Sequence, residues 1–185
     1  MRILCRAILL FIFFWISRFC FSVSDPTIPN YTFINQDGKS FKLHSLKGKH
    51  LLLSFFTTEC SQHNECFKTI ALIKYTQYLV QSHPTTKLSF NFLFVSLDQK
   101  KDTPLLLSQF PRERGLEEKD FIFATSDEKT LAQLSMRYNT LTIPPKDGKP
   151  FRHTIKTILF DPELRKMKEL LGATWSPANI AAVLP

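Results

Sequence analysis

Glycine is scarce in this chain: 5 of its 185 residues are glycine, whereas 11 are proline. No low-complexity tract interrupts the sequence, which argues against long disordered or fibrous regions. Hydrophobic residues make up 44% of the chain, enough for one well-packed core at this length but not for two. We therefore expect one compact domain.

A concentrated basic stripe is also lacking. The formal net charge is +8, but the lysines are scattered apart from the pair Lys100–Lys101 and do not alternate with aromatic residues. This distribution excludes the usual footprint of a nucleic-acid-binding protein, so we expect no nucleic-acid partner. It permits only weak, unspecific attraction to an anionic membrane surface.

The amino terminus has no apolar run of the length that a typical membrane span needs, about 20 residues. Arg2 and Arg6 precede the run Ala7–Ile16, and the small residues Ser22 and Ser24 follow it. This pattern is typical of an export signal. We predict a signal peptide or an N-terminal membrane anchor over residues 1–24, and a folded domain over residues 25–185. The protein would then be exported to the periplasm, either soluble or anchored to the inner membrane.

Cysteine is limited to 4 residues, too few for a disulfide scaffold. Cys5 and Cys20 fall in the predicted signal, which leaves Cys60 and Cys66 in the domain. Export would place this pair where thiols oxidise readily. Five residues separate the two cysteines in the stretch "SFFTTECSQHNECFKTI", whereas dithiol redox enzymes usually have two. A structural disulfide, a soft metal site and a redox pair all remain open.

The order of hydrophobic patterns predicts an α/β fold. The predicted domain begins with a hairpin turning at Asp37–Gly38, and helices and strands then alternate, as expected for a central mixed sheet flanked by helices. The cysteine loop would join a buried strand to a helix, which is the layout of the thioredoxin fold. The predicted strands lie at 51–57, 87–97, 121–125 and 153–160, and the predicted helices at 65–82, 103–115, 126–138 and 176–184. We interpret residues 141–150 as a loop and residues after 165 as a strand or short helix.

Histidine could complete a metal site with the cysteines. We expect His44, His50 and His83 to be exposed, and His63 to be either exposed or close to a bound metal. His153 opens a strand whose preceding loop should return beside the cysteine loop. Two thiolates and one imidazole suit Cu(I), with zinc as the alternative metal. Cys66, placed in the first turn of its helix, should ionise more easily there.

Three stretches resemble the Sco/SenC family of thioredoxin-fold copper chaperones, which serve cytochrome c oxidase assembly. They are "YTFINQDGKSFKLHSLKGKHLLLSFFTTEC", "VSLDQKKDTP" and "HTIKTILFDPEL". The resemblance implies a copper site made by Cys60, Cys66 and His153. It implies copper as Cu(I), with Cu(II) as the other oxidation state. It also implies a role for Asp98 near the metal or in partner docking; a simple loop or capping role is the alternative.

The chain departs from the family pattern at the cysteines. The family has three residues between them, usually as CPxxCP, whereas Ser61 and Phe67 stand here in place of the prolines and the spacing is five. Thr154 stands where serine is usual. A longer loop should hold a metal less rigidly.

Three hypotheses follow from the residues and the resemblance. In the first, the protein is a metallochaperone that transfers Cu(I) to the apo copper subunit of cytochrome c oxidase or to another copper or thiol protein. A thiol reductant would keep its cysteines reduced. In the second, it is an enzyme, an exported thiol–disulfide oxidoreductase in which Cys60 or Cys66 attacks a partner disulfide. In the third, it is a non-catalytic module with a structural disulfide.

Overall fold

The computed structural model describes residues 27–59, 65–82, 88–116, 119–144, 146, 149 and 151–184. Its strands are β1 (Thr32–Asn35), β2 (Ser40–Lys42), β3 (His50–Phe56), β4 (Phe90–Ser96), β5 (Phe121–Thr125), β6 (Thr142–Ile143), β7 (Arg152–His153), β8 (Lys156–Phe160) and β9 (Lys166–Leu171). Seven of them form one sheet in the order β2-β1-β5-β4-β3-β8-β9, and β6 pairs with β7 alone. Because β3, β4 and β5 run parallel while the other pairs are antiparallel, the sheet is mixed, as predicted.

In the described part of the chain, four α-helices accompany the sheet: α1 (Glu65–Ser82), α2 (Pro104–Glu113), α3 (Glu128–Arg137) and α4 (Pro177–Ala181). The bounds of α1 are those predicted, because neither glycine nor proline interrupts that stretch. At the start of α2, the side chain of Thr103 accepts a hydrogen bond from the Leu106 N–H, and Pro104 occupies the first turn. Asp127 caps α3 by accepting from the Thr130 N–H.

Strand β3 lies at the centre of the fold. All seven of its residues are buried, as expected for a continuous apolar run with a neighbouring strand on each edge. Its alternate side chains enter two cores. Leu52 and Phe56 pack in one core with buried residues of α1, α2 and α4, and Leu53 and Phe55 pack in the other with residues of α3. The prediction of helices on both faces of the sheet is confirmed.

The N-terminal hairpin is also confirmed. β1 and β2 pair in antiparallel register, with Phe33 opposite Phe41. The side-chain oxygen of Asn35 accepts hydrogen bonds from the backbone N–H groups of Asp37 and Lys39, at 3.1 and 2.8 Å. Gly38 adopts a φ of 74°, a left-handed conformation that glycine enters without strain.

The prediction of a plain loop at 141–150 followed by one strand from residue 153 is wrong. β6 and β7 instead form a separate two-stranded ribbon, in which Thr142 is opposite His153, and β8 begins only at Lys156. The sequence suggests a loop because prolines and a glycine occur between the two short strands. The residues after 165 form β9 rather than a helix.

Two histidines differ from expectation. His50 is buried at the start of β3 and stacks on Phe90, with ring centroids 5.2 Å apart. Burial lowers the pKa of His50, although the acidic side chains of Asp161 and Glu163 oppose this effect. His44 is half-buried, and its Nε2 lies 2.9 Å from the Ile28 carbonyl oxygen. Stacking therefore holds the His50 ring, and a hydrogen bond holds the His44 ring.

Among the described residues, no helix is long and apolar enough to cross a membrane. The predicted signal or anchor at 1–24 lies outside those residues, so it stays a prediction.

Candidate functional site

The candidate site begins where β3 and β4 end. These strands are parallel, with Phe56 opposite Ser96, so the segments that follow them leave the sheet side by side. The Leu97 N–H continues the pairing with a 3.1 Å hydrogen bond to the Phe56 carbonyl. Loops at the carboxyl ends of parallel strands commonly carry function. Here one such loop leads to Cys60, and the other contains Asp98 and Asp102.

Asp102 is a buried carboxylate that joins these two loops. Its side chain is inaccessible to solvent. Oδ2 accepts a hydrogen bond from the Thr58 backbone N–H at 2.9 Å, and the hydroxyl groups of Thr58 and Ser96 donate short hydrogen bonds to the same carboxylate. These donors satisfy a group that would otherwise be costly to bury. Asp102 therefore fixes the segment immediately before Cys60.

The environment of Asp102 affects its ionisation. Desolvation raises the pKa of this carboxyl, while the hydrogen bonds from Ser96 and Thr58 act in the opposite direction. Asp98, the residue that the resemblance implied near the site, is also buried and lies close enough to raise the pKa of Asp102 further. Its Oδ1 accepts from the Lys101 N–H at 3.3 Å, and its carbonyl accepts from the Asp102 N–H at 2.8 Å. These contacts give Asp98 a loop-shaping role.

Cys66 is the second residue of α1, in the first helical turn as predicted. It is 5% exposed, packs in the core that contains Phe56 and Trp175, and is disulfide-bonded. The other cysteines lie outside the described residues, so the Cys60–Cys66 pairing stays a prediction. The start of α1 lies beside the turn after β9: the Thr69 hydroxyl donates to the Glu65 carbonyl at 2.9 Å and lies 3.5 Å from the Gly172 carbonyl oxygen.

Glu59 connects the cysteine segment with the segment that contains His153. Its Oε2 accepts a hydrogen bond from the Phe151 backbone N–H at 3.2 Å, and its Oε1 forms an ion pair with the Lys101 ammonium. The hydrogen bond from Lys101 lowers the pKa of the Glu59 carboxyl, so it is ionised at neutral pH. One carboxylate thus joins its own segment to two others that are distant in sequence.

His153 ends the short strand β7. Its Nδ1 lies 3.1 Å from the Thr154 carbonyl oxygen. A carbonyl can only accept, so we assign the ring proton to Nδ1, which leaves the Nε2 lone pair available to a ligand. Burial lowers the pKa of His153, with the Thr154 hydrogen bond opposing it. The neutral ring that a metal requires is therefore the favoured form.

The structure brings the Cys60 and His153 segments together indirectly. The backbone N–H of Phe151, two residues before His153, donates a hydrogen bond to the carboxylate of Glu59, the residue before Cys60. Cys60 and His63 themselves lie outside the described residues, and among those described no group of three or more His, Cys, Asp or Glu side chains could hold a metal. The ligand set Cys60, Cys66 and His153 thus stays a prediction.

Sequence reasoning assigned no role to Glu59 or Asp102. Asp102 belongs to the "DTP" stretch that carries the resemblance, which is a signal that could have identified it. Glu59 also lies in a stretch that carries the resemblance, but its contacts join positions separated by 42 and 92 residues. No local pattern indicates contacts of that range.

Comparison with known proteins identifies the family. The SCO1/SenC family model matches residues 22–184. The chain belongs to the SCO1/SenC family. No curated protein sequence matches it.

Solved Sco structures share the fold. A SCO1/SenC family lipoprotein from Bacillus anthracis aligns with a TM-score of 0.72 and 25% identity, over 84% of this chain and 90% of that one. Copper-bound ScoI from Arabidopsis thaliana aligns with a TM-score of 0.71 and 19% identity, over 85% of this chain and 94% of that one. BsSco is a member of the Sco family of cytochrome c oxidase assembly proteins with a disulfide switch. It aligns with a TM-score of 0.70 and 21% identity, over 84% of this chain and 90% of that one. The thioredoxin-like prediction is confirmed.

Proposed function

We propose that this SCO1/SenC protein is a copper metallochaperone that binds Cu(I) through the thiolates of Cys60 and Cys66 and the imidazole of His153. The observation that carries the proposal is the hydrogen bond from the Phe151 N–H to Glu59. It joins the chain next to the first cysteine to the chain next to the histidine. Copper-bound relatives of the same fold add support.

The chemistry of the donors suits Cu(I). The first turn of a long helix stabilises an anion, so the position of Cys66 favours its thiolate once the disulfide is reduced. The Nε2 of His153 supplies a borderline nitrogen ligand. Thiolates and imidazole together select Cu(I) over hard cations such as Mg²⁺. Three protein ligands leave one side of the ion open to an incoming thiolate or imidazole of a partner.

The disulfide form cannot bind copper in this way, because its sulfur atoms carry no thiolate charge. A partner dithiol must first reduce it. That reductant transfers two electrons, the S–S bond of the chaperone breaks, and the reductant itself becomes a disulfide. The two new thiolates then coordinate the ion. Reduction thus precedes loading.

The proposed recipient is the apo copper subunit of cytochrome c oxidase, or another copper or thiol protein outside the cytoplasm. The proposed location is the periplasm, with the domain either released after cleavage of residues 1–24 or held at the inner membrane by them. Copper would pass by ligand exchange, with no change in its charge.

Anaerobic titration of the reduced full-length chain with Cu(I), in competition with a chromophoric chelator, tests the proposal. We expect one tight equivalent. Cys60→Ser, Cys66→Ser and His153→Ala should each lower the affinity by about 100-fold or more, because each removes a ligand. Cys5→Ser, Cys20→Ser and His44→Ala are matched controls that should bind as the original chain does. Tight binding that survives all three ligand variants would refute the proposed site.

A second candidate function is thiol–disulfide exchange, favoured by the disulfide-bonded state of Cys66 at a helix start. In that case a thiolate attacks a partner disulfide through a mixed disulfide, and His153 does not take part directly. His153→Ala separates the two functions. It should abolish copper retention in a chaperone and spare most of the exchange rate in an oxidoreductase. If both cysteines can be replaced without loss of function in cells, the disulfide is structural only.

A further inference from the structure

On the edge of β7 that faces away from β6, the Glu59 carboxylate accepts a backbone hydrogen bond. The Thr154 N–H donates to the Leu141 carbonyl at 2.9 Å, toward β6. Successive N–H groups of a strand point to opposite edges, so the Phe151 N–H points away from β6. There it meets the Glu59 carboxylate at 3.2 Å. Strand β7 is thus paired with β6 on one edge, and on the other edge the Glu59 carboxylate holds the residue that precedes it.

Glu59 is itself fixed from two directions. Its Oε1 pairs with the Lys101 ammonium, on the loop after β4. Its backbone follows Thr58, whose N–H and hydroxyl are both bonded to buried Asp102. Contacts at the ends of β3 and β4 therefore hold the Glu59 carboxylate in place. Its hydrogen bond to the Phe151 N–H can then fix the position of β7.

We propose that Glu59 is a positioning residue that holds the His153 strand at the distance from the cysteine loop at which all three ligands can reach one copper ion. The inference rests on the proposed function. Phe151 and His153 lie two residues apart in extended chain, so their side chains share one side of the ribbon, with ring centroids 6.5 Å apart. Without the hydrogen bond from the Phe151 N–H to Glu59, the part of the ribbon that carries His153 could move away from the cysteines.

The first test does not involve copper. Amide hydrogen exchange at Phe151 in the full-length chain should rise by about tenfold in Glu59→Ala, because the substitution removes the carboxylate that accepts from that N–H. Glu59→Gln keeps a carbonyl oxygen at the same place and should change the exchange rate by less than about threefold. Glu113→Ala, at an exposed surface ion pair with Arg114, is the control and should leave the Phe151 rate unchanged.

The second test is a double-mutant cycle on Cu(I) affinity. Glu59→Ala should weaken binding about tenfold, and Glu59→Gln should restore most of it. In the His153→Ala background, Glu59→Ala should cause no further loss, because its effect passes through the histidine. Lys101→Met removes the ion pair but leaves the Phe151 acceptor, so it should give a smaller loss. It also serves as the second variant if Glu59→Ala does not fold.

Two outcomes overturn the inference separately from the proposed function. If His153→Ala weakens binding but Glu59→Ala does not, the copper site stands and the positioning role fails. If Glu59→Ala weakens binding equally with and without His153, the carboxylate acts on the cysteines and not on the histidine strand. If His153→Ala binds copper normally, the proposed ligand set fails and the positioning of a ligand fails with it.

Discussion

The backbone N–H of Thr58 donates a 2.9 Å hydrogen bond to the carboxylate of Asp102, which lies 44 positions later in the chain. The Thr58 and Ser96 hydroxyls donate to the same buried group. This cluster fixes both where β3 ends and where the loop after β4 turns. A rigid support of this kind is what a site on a long loop needs in order to hold a defined geometry.

Replacing Asp102 by Ala should therefore destabilise the domain. The change leaves the half-buried Thr58 N–H and hydroxyl and the buried Ser96 hydroxyl without their acceptor, at a cost of about 2 to 3 kcal/mol in the free energy of unfolding. Asp102→Asn should cost less, because one acceptor oxygen remains. Urea unfolding followed by circular dichroism measures both. Asp120→Ala removes a 3.5 Å ion pair with Lys49 and is the control, expected to cost under about 1 kcal/mol. A loss of that small size in Asp102→Ala would contradict the supporting role.

The lowered pKa of His153 predicts a specific pH dependence. Between the ordinary histidine value of 6.5 and the lower folded value, the unfolded chain binds a proton that the folded chain does not. Stability should therefore fall as pH decreases through that window and recover as pH rises to 6.5 and above. His153→Gln lacks this titration, so the difference in unfolding free energy between the two chains should change with pH only there. NMR titration of the ring should give a midpoint below 6.5. A midpoint above it would contradict the burial argument.

Phe123 should be among the most sensitive core positions. It is 1% exposed, stacks on Phe94 with ring centroids 4.7 Å apart, and contacts Phe56 and Phe110. Phe123→Ala should lower the free energy of unfolding by about 3 to 5 kcal/mol, because it leaves a large cavity among rigid rings. Leu105→Ala, at a residue 66% exposed on α2, should stay within about 0.5 kcal/mol. Similar costs for the two variants would contradict this packing.

The parts of the fold that repeat a simple pattern could be predicted from the sequence. The apolar run at β3 and the uninterrupted stretch of α1 indicate their structures directly, because burial and helix propensity act over neighbouring residues. The ribbon of β6 and β7 could not be predicted, since two-residue strands are too short to show alternation. The burial of His50 was also missed, because it depends on stacking against Phe90 in the neighbouring strand.

The candidate site shows the same division. The helix-start position of Cys66 follows from local pattern. His153 follows from its place before a predicted strand and from the resemblance. The contacts of Glu59 with Phe151 and Lys101 depend on how three distant segments meet, and only the folded chain contains that information.

The strand order also determines when the sheet can be completed during synthesis. β1 pairs with β5 through Ile34 and Thr125, so the N-terminal hairpin waits for the middle of the chain to emerge. β3 pairs with β8 from Leu51 to Ser54, so one edge of this buried, largely apolar strand stays open until residue 160 is available. An unpaired apolar edge is prone to join other chains. Nascent or truncated chains that end before β8 should therefore be the aggregation-prone forms of this protein.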